Sequence, residues 1–393
     1  MSNRFMDHAL YLATSNIGKT SPNPSVGAVI VKNNEIISTG ITMPCGGDHG
    51  EIVAIKEAKD QCKGADLYVT LEPCSHHGKT PPCVDAIIRE GFKRVFIAVL
   101  DPNPLVAGNG LRMLNEAGIK ASLMPEYMPK AADLIRPFKK MILRKKPFVI
   151  HKTAITLDGR IATSSGSSQW ISDEYSRYFV HRLRNKCDAI LVGKNTFIAD
   201  DPSLNVRIID FNSDVKSFYD QDIKINGREN VFLKNLLQGA GDDVVLDPLR
   251  IIVGLPEVIS PDAKACVDDN YLFFDFKNSA DKKHKDFNIY SKKIDDPAEQ
   301  IHEILDVLYK RGVMTIMMEG GSHISGSFLD AGEIDQFFYT ISPKILGSGL
   351  SAVTGYEREK MSEAYELHET SFIHLKNDLL YNGYKEMYNF EMM

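Results

Sequence analysis

Apolar and polar positions alternate in short blocks along the first 150 residues. Phe5, Met6, Ala9, Leu10, Leu12 and Ala13 fall at helical spacing, which predicts a helix over 4–17. Val26–Val31 is a short apolar run, Asn33-Asn34 a turn signal, and Glu35–Gly40 the return strand of a hairpin. Helical spacing resumes after His49 at Ile52, Val53, Ile55 and Ala58. Strands are predicted over Asp66–Leu71 and Val95–Val99, with helices over Cys83–Glu90 and Leu111–Gly118. Residues 130–146 are basic and amphipathic and stop at Pro147, where a new strand opens. The cations of 139–146 predict a solvated helix face.

Beyond that point the blocks repeat. Strands are expected over Val149–Ile155, Ala189–Val192, Leu249–Val253 and Thr315–Met318, and helices over 172–186 and 297–311. Alternating strands and helices predict two α/β domains, 1–146 and 147–393. The polar stretch 208–247, rich in Asp and Asn, shows no clear periodicity and reads as an insertion in the second domain.

Composition narrows the classes. A chain of 393 residues exceeds one ordinary core. A net charge of −6 without a long basic run argues against gripping a nucleic-acid backbone. No apolar stretch approaches the roughly 18 residues of a membrane span. The N-terminus runs into a short amphipathic segment and not a signal peptide. Six cysteines in this length do not make a disulfide scaffold. Cys45, Cys62, Cys187 and Cys266 read as buried or idle thiols, and the expected location is the cytoplasm.

The chemistry concentrates in His49-Gly50-Glu51, Pro73-Cys74 and Cys83. One imidazole and two thiolates make three zinc ligands, and a fourth tetrahedral position stays open for water. Such a water ionises near pH 7 instead of about 15.7. Glu51, too close to His49 in sequence to be a co-ligand, is placed to carry a proton from the water to a leaving amine. This is the pattern of zinc nucleobase deaminases, but eight residues, Ser75–Pro82, separate the cysteines instead of two. In that loop His76 and Lys79 can reach an anion such as a substrate phosphate; an incidental solvated loop is the competing reading. Gly50 either leaves room near the metal or is a plain turn glycine.

A second constellation follows a predicted strand: Glu319-Gly320-Gly321-Ser322-His323-Ile324-Ser325-Gly326-Ser327. Small residues at a strand-to-helix turn expose N–H groups that cradle phosphate, although a plain turn fits the same residues. Lys152, Ser168, Trp170, Arg184, Thr196, Asp200 and the Leu204-Asn-Val-Arg207 segment add polar groups and the only tryptophan. Arg184 and Arg207 are candidates for bidentate phosphate contacts. Trp170 fits a core position equally well.

Together these motifs resemble the bifunctional riboflavin-biosynthesis deaminase/reductase family over nearly the whole chain. The first part matches through Pro22-Asn-Pro-x-Val-Gly27, His49-x-Glu51, Thr70-Leu-Glu-Pro-Cys-Ser-His-His-Gly-Lys-Thr-Pro-Pro-Cys83 and Asp101-Pro-Asn-Pro104. The second matches through Thr156-Leu-Asp-Gly-Arg160, Ser168-Gln-Trp-Ile171, Ala199-Asp-Asp-Pro202, Glu319-Gly-Gly321 and Pro343-Lys-Ile-Leu-Gly347. The resemblance implies a cytidine-deaminase-like α/β/α sandwich followed by a dihydrofolate-reductase-like α/β domain. It implies zinc at His49, Cys74 and Cys83, with Glu51 catalytic. The implied substrates are phosphoribosylaminopyrimidines: hydrolytic loss of the 2-amino group, then NADPH-dependent reduction of ribosyl to ribityl. Asn23, His76 and Lys79 are the implied substrate contacts of the deaminase. Lys152, Ser168, Arg184, Leu204, Arg207 and Glu319 are those of the reductase. Ala154, Trp170, Thr196, Asp200 and Gly321–Ser327 are the implied NADP contacts, and a dimer or tetramer is the implied assembly. His-Gly-Glu stands where the family usually has His-Ala-Glu.

Overall fold

A computed structural model describes residues 3–76, 81–104, 106–228, 230–239, 241–242, 244–281, 284–355 and 357–388. Packing divides the chain into two compact units, with the cut at Lys145/Lys146.

The first unit contains helix α1 (Arg4–Ser15), strands β1 (Gly27–Lys32) and β2 (Glu35–Ile41), α2 (Gly50–Ala58), β3 (Asp66–Val69), α3 (Cys83–Glu90), β4 (Arg94–Ile97), α4 (Asn109–Glu116), β5 (Lys120–Leu123), α5 (Met128–Leu134) and α6 (Arg136–Arg144). Its five-stranded sheet runs β2-β1-β3-β4-β5. Strands β3, β4 and β5 are parallel, and β1 is antiparallel to both neighbours. The hairpin closes through Asn33 and Asn34, both at positive φ (53° and 65°), as a tight two-residue turn requires. The side chain of Asn3 caps α1 by accepting the N–H groups of Phe5 and Met6. The helix then buries Phe5, Met6, Ala9, Leu10 and Ala13 on one face. In β1, Ala28, Val29 and Ile30 are fully buried on both faces of the sheet.

The basic stretch 130–146 is two helices, not one. Ile135 leaves helical geometry between them, and each helix carries a proline in its first turn. The face expected to be solvated is partly covered: Arg136 is buried against Asp133, and Arg136 and Lys139 both lie over the Tyr388 ring.

The second unit contains β6 (Phe148–Thr156), β7 (Arg160–Ala162), α7 (Glu174–Arg184), β8 (Ala189–Gly193), α8 (Lys194–Asp200), α9 (Ser213–Tyr219) and β9 (Asn226–Gly227). The chain then forms α10 (Val231–Leu237), β10 (Leu249–Val253), β11 (Tyr271–Asp275), β12 (Ile289–Ser291), α11 (Pro297–Lys310), β13 (Thr315–Met318) and α12 (Ser322–Asp330). It ends with β14 (Gln336–Ser342), β15 (Leu350–Ser351), β16 (His368–Leu375) and β17 (Asp378–Tyr384). Its ten-stranded sheet has the order β12-β11-β10-β8-β13-β6-β14-β17-β16-β9. The strands from β12 to β14 are parallel; β17, β16 and β9 are antiparallel. On one face Ile304, Leu305 and Leu308 of α11 and Phe328 of α12 bury against Val149, Leu191, Ile251 and Phe337. Each such side chain stabilises by roughly 1.5–3 kcal/mol.

The expected insertion 208–247 contains two short α-helices, a 3-10 turn and a short strand. Two of its asparagines are helix caps: Asn212 accepts the N–H of Val215 and starts α9, and Asn230 accepts that of Leu233 and starts α10. Helices of seven residues span about two turns, too short for a periodicity to emerge. Moreover, α10 belongs to the first unit, packed on α1 and α5. Tyr388 also belongs there, so 147–393 is not one continuous body.

Candidate functional site

In the first unit three turns converge. His49 is the N-cap of α2, its carbonyl accepting the N–H of Val53, which leaves the ring free. Cys74 lies in the loop leaving β3, and Cys83 opens α3 after Pro82. The Nδ1 of His49 is 3.3 Å from Cys83 Sγ and 3.6 Å from Cys74 Sγ. All three donor atoms lie within 4.8 Å of one another. Tetrahedral zinc with bonds of about 2.3 Å to sulfur and 2.0–2.1 Å to nitrogen has N···S edges of about 3.6 Å, so the donor set fits that ion.

Proton distribution in the cluster follows from its contacts. The Cys83 thiol, helped by the His49 ring, hydrogen-bonds the Cys74 sulfur and holds it down at about 4. Sharing with Cys74, together with burial, pushes Cys83 far up. The bond to Cys74 lifts His49 to about 9. Glu51, in the first turn of α2, is only 3% exposed. Burial raises it to about 7, the Cys74 charge adding to the effect.

Gly50 serves packing, not room for the ion. A Cβ there would lie 2.7 Å from the Val26 carbonyl and 3.4 Å from that of Gly40. Asn23 is half-buried in the turn before β1, where its carbonyl accepts the Thr20 hydroxyl. His76 is exposed just past Cys74, and Lys79 lies outside the described residues.

Sequence reasoning passed over Glu72. Buried beside the Cys74 turn, its carboxylate accepts the N–H groups of Asp101 (3.2 Å), Gly108 (2.9 Å) and Leu111 (3.1 Å). It therefore pins the 101–111 loop to the cysteine-bearing turn. Asp101, read only as a turn residue, is raised to about 6, mainly by burial and then by the Glu72 charge. Only the adjacency of Glu72 to Pro73-Cys74 hinted at its role; nothing local marked Asp101.

In the second unit Glu319 is the hub. It follows β13 and is 12% exposed. Arg184, at the end of α7, grips it with Nε–Oε1 at 2.6 Å and Nη2–Oε2 at 3.0 Å, and donates to the Asn205 carbonyl through Nη1. Lys152 Nζ is 3.7 Å from Oε2. Burial works against the carboxylate, but Arg184 and Lys152 outweigh it and hold Glu319 at about 2. Burial lowers Lys152. The Nε and Nη2 groups of Arg184, expected as a bidentate contact to substrate phosphate, face Glu319 here. Arg207 has an exposed side chain, and its guanidinium donates to the Ser203 hydroxyl at 3.3 Å.

Ala154 shares a strand face with Lys152, two residues on. Strands β8 and β13 are parallel neighbours, Met318 facing Leu191, so the turns that leave them meet. Thr196 Oγ1 is 3.5 Å from where a Gly321 Cβ would sit. A Cβ on Gly320 would strike Ile324 Cγ2 at 2.1 Å. This bare turn leads into the first turn of α12, whose N–H groups have no partner within the helix, and the arrangement suits a dinucleotide phosphate.

Not every residue of 321–327 faces outward. His323 is exposed, whereas Ser322, Ser325 and Gly326 are buried. Helical rotation turns Gly326 inward, where a Cβ would meet the Thr354 carbonyl at 1.9 Å. Leu204 is also buried, with φ 53°, so only its backbone can meet a ligand. Ser168 is half-buried and Asp200 exposed. Trp170 is 63% exposed under the Arg177 guanidinium, 4.4 Å from its centroid, which excludes the core position.

Residues 1–99 match the family of the cytidine and deoxycytidylate deaminase zinc-binding region, and 147–381 match the RibD C-terminal domain. The riboflavin biosynthesis protein RibD of Bacillus amyloliquefaciens is 35% identical over 388 residues, 96% of this chain and 95% of that protein. The Escherichia coli K12 protein of the same description is 36% identical over 363 residues, 90% and 92% of the two chains. The solved structure of Acinetobacter baumannii RibD superposes with a TM-score of 0.78 at 30% identity, covering 97% of this chain and 98% of that one. A Thermotoga maritima structure described as a diaminohydroxyphosphoribosylaminopyrimidine deaminase/5-amino-6-(5-phosphoribosylamino)uracil reductase gives 0.77 at 32% identity, with 97% of each chain covered.

Proposed function

The chain belongs to the RibD family of bifunctional riboflavin-biosynthesis enzymes, and on that premise we propose which of its residues perform the two reactions and on what. The deaminase acts on a diamino-pyrimidinone bearing phosphoribosylamine; water enters at the carbon that carries the 2-amino group, and ammonia leaves. His49, Cys74 and Cys83 would hold zinc, which when bound would supply a water nucleophile that ionises near neutral pH. Glu51 takes the proton released by that water and returns it to the leaving nitrogen. The observation that carries this reading is a donor triad at tetrahedral-edge spacing with one buried carboxylate beside it.

The reductase converts the ribosyl group of the deaminated product to ribityl. NADPH would supply the hydride; Gly321–Ile324 and Thr196 would hold its phosphates, and Ala154, Trp170 and Asp200 would contact the rest. Glu319, clamped by Arg184, orients Lys152 toward the reacting carbon, and Arg207 meets the substrate phosphate. Asn23, His76 and Lys79 anchor the substrate in the deaminase. A homo-oligomeric enzyme in the cytoplasm completes the reading. Among the described residues no helix is long and apolar enough to cross a membrane.

The decisive experiment supplies the diamino substrate and follows ammonia release and NADPH oxidation together. Glu51→Gln abolishes ammonia release, retains zinc, and still reduces pre-deaminated substrate. Normal ammonia release by that variant would refute the assignment of Glu51.

A further inference from the structure

His151 has no part in either reaction as derived above, yet it lies between the two halves of the reductase site. It sits in β6 one residue before Lys152 and is completely buried. Adjacent strand residues point to opposite faces. Lys152 faces Glu319 and Arg184, so His151 faces the other side. There its Nε2 is 3.0 Å from the Ser325 hydroxyl on α12, and its Nδ1 is 3.3 Å from the Tyr339 hydroxyl on β14. The rings of Phe337 and Tyr339 meet it edge-on, with centroids at 6.0 and 5.4 Å. Met318, the residue before Glu319, is its register partner on β13.

A buried imidazole is costly unless both nitrogens are matched. A leucine would fill such a site without needing partners. Here the matching groups come from two different elements, and both are hydroxyls, which donate or accept as needed. A neutral ring therefore satisfies both contacts at once. Burial lowers His151 to about 4 and raises Tyr339 to about 12, so ring and phenol both stay uncharged near neutrality. Either hydroxyl can donate to the ring nitrogen that lacks the proton or accept from the one that carries it, so either neutral tautomer keeps both contacts.

We propose that His151 is a positioning residue for the nicotinamide dinucleotide: by bridging Tyr339 and Ser325 it locks the first turns of α12 onto the strand that carries Lys152. Ser325 also donates its backbone N–H to the Gly321 carbonyl, so the brace ends on the glycine turn itself. One dipeptide, His151-Lys152, thereby sets the distance between the phosphate cradle on one face of β6 and the Glu319–Arg184 pair on the other. The inference rests on the reading of Gly321–Ile324 as the phosphate site.

The test measures NADPH affinity of the full-length enzyme by fluorescence titration, with kcat and KM for reduction, in His151→Leu, Ser325→Ala and the double variant. Each single variant weakens NADPH binding about fivefold, the worth of one neutral hydrogen bond, and leaves ammonia release unchanged. The double variant is no worse than His151→Leu, because both remove the same link. His151→Gln, which keeps a donor, recovers part of the affinity. A merely structural histidine would lower the urea midpoint without moving NADPH affinity. If His151→Leu does not fold, Ser325→Ala and Tyr339→Phe carry the test. Affinities within twofold of wild type in the folded variants, or single losses that add, would overturn the proposal. Failure of the wild-type enzyme to bind NADPH or NADH at all would instead overturn the phosphate-site reading, and the brace with it.

Discussion

Removing the charge of Glu319 tests the energetic centre of the reductase unit. In Glu319→Gln the shape stays, but Arg184 and Lys152, whose side chains are 12% and 14% exposed, lose their counter-charge. The carboxyl is held at about 2 against an ordinary 4.5, which corresponds to roughly 3 kcal/mol in favour of the charged form. Breaking a buried pair by removing one partner costs about 3–5 kcal/mol in general, so the two routes agree. The folded-state value is depressed, so this stabilisation is complete above pH 4.5 and disappears as pH falls toward 2. Urea unfolding followed by Trp170, the only tryptophan and a member of this unit, measures the effect. At pH 7 the variant loses about 3 kcal/mol, and the gap to wild type is constant down to pH 5 and narrows below 4.5. A variant with an unchanged urea midpoint, or a gap indifferent to acid, would refute the electrostatic account.

Stripping zinc with a chelator should stop ammonia release while reduction of pre-deaminated substrate continues; loss of both activities would contradict the separation of the sites. Gly50→Ala forces a Cβ to within 2.7 Å of the Val26 carbonyl and should destabilise the first unit by about 1–3 kcal/mol, read as a lower melting temperature; an unchanged value would show that the backbone yields freely. Glu72→Gln turns an amide N–H₂ toward N–H donors and leaves at least one of three unmatched. Deamination should fall about tenfold or more, since 1.4 kcal/mol is a factor of ten, with reduction unaffected. Normal deamination would show that the 101–111 loop needs no clamp.

Local chemistry was legible where residue type and spacing act at short range. His49 caps a helix, Cys83 opens one, and Pro73 precedes Cys74, so the metal donors were readable as a set together with the strands that deliver them. The capped short helices α9 and α10 were not, because two turns are too few to show a period and their Asn caps look like loop residues. The clamp of Glu72 and the buried Asp101 were invisible for a related reason: a carboxylate that accepts N–H groups some 30 to 40 positions away leaves no local trace.

The linear order of residues by itself determined the two α/β halves, the donor set His49, Cys74 and Cys83 with a carboxylate beside it, and the glycine-rich turn after β13, since each is written in short motifs of adjacent residues. Only the folded chain decided that Arg184 is committed to Glu319, that Gly326 and Leu204 turn inward, that α10 packs with the first unit, and that His151 bridges two elements. Those outcomes depend on which side of a strand or helix meets which partner, across 135 positions for Arg184 and Glu319 and 174 for His151 and Ser325, and that is set by packing, not by local preference.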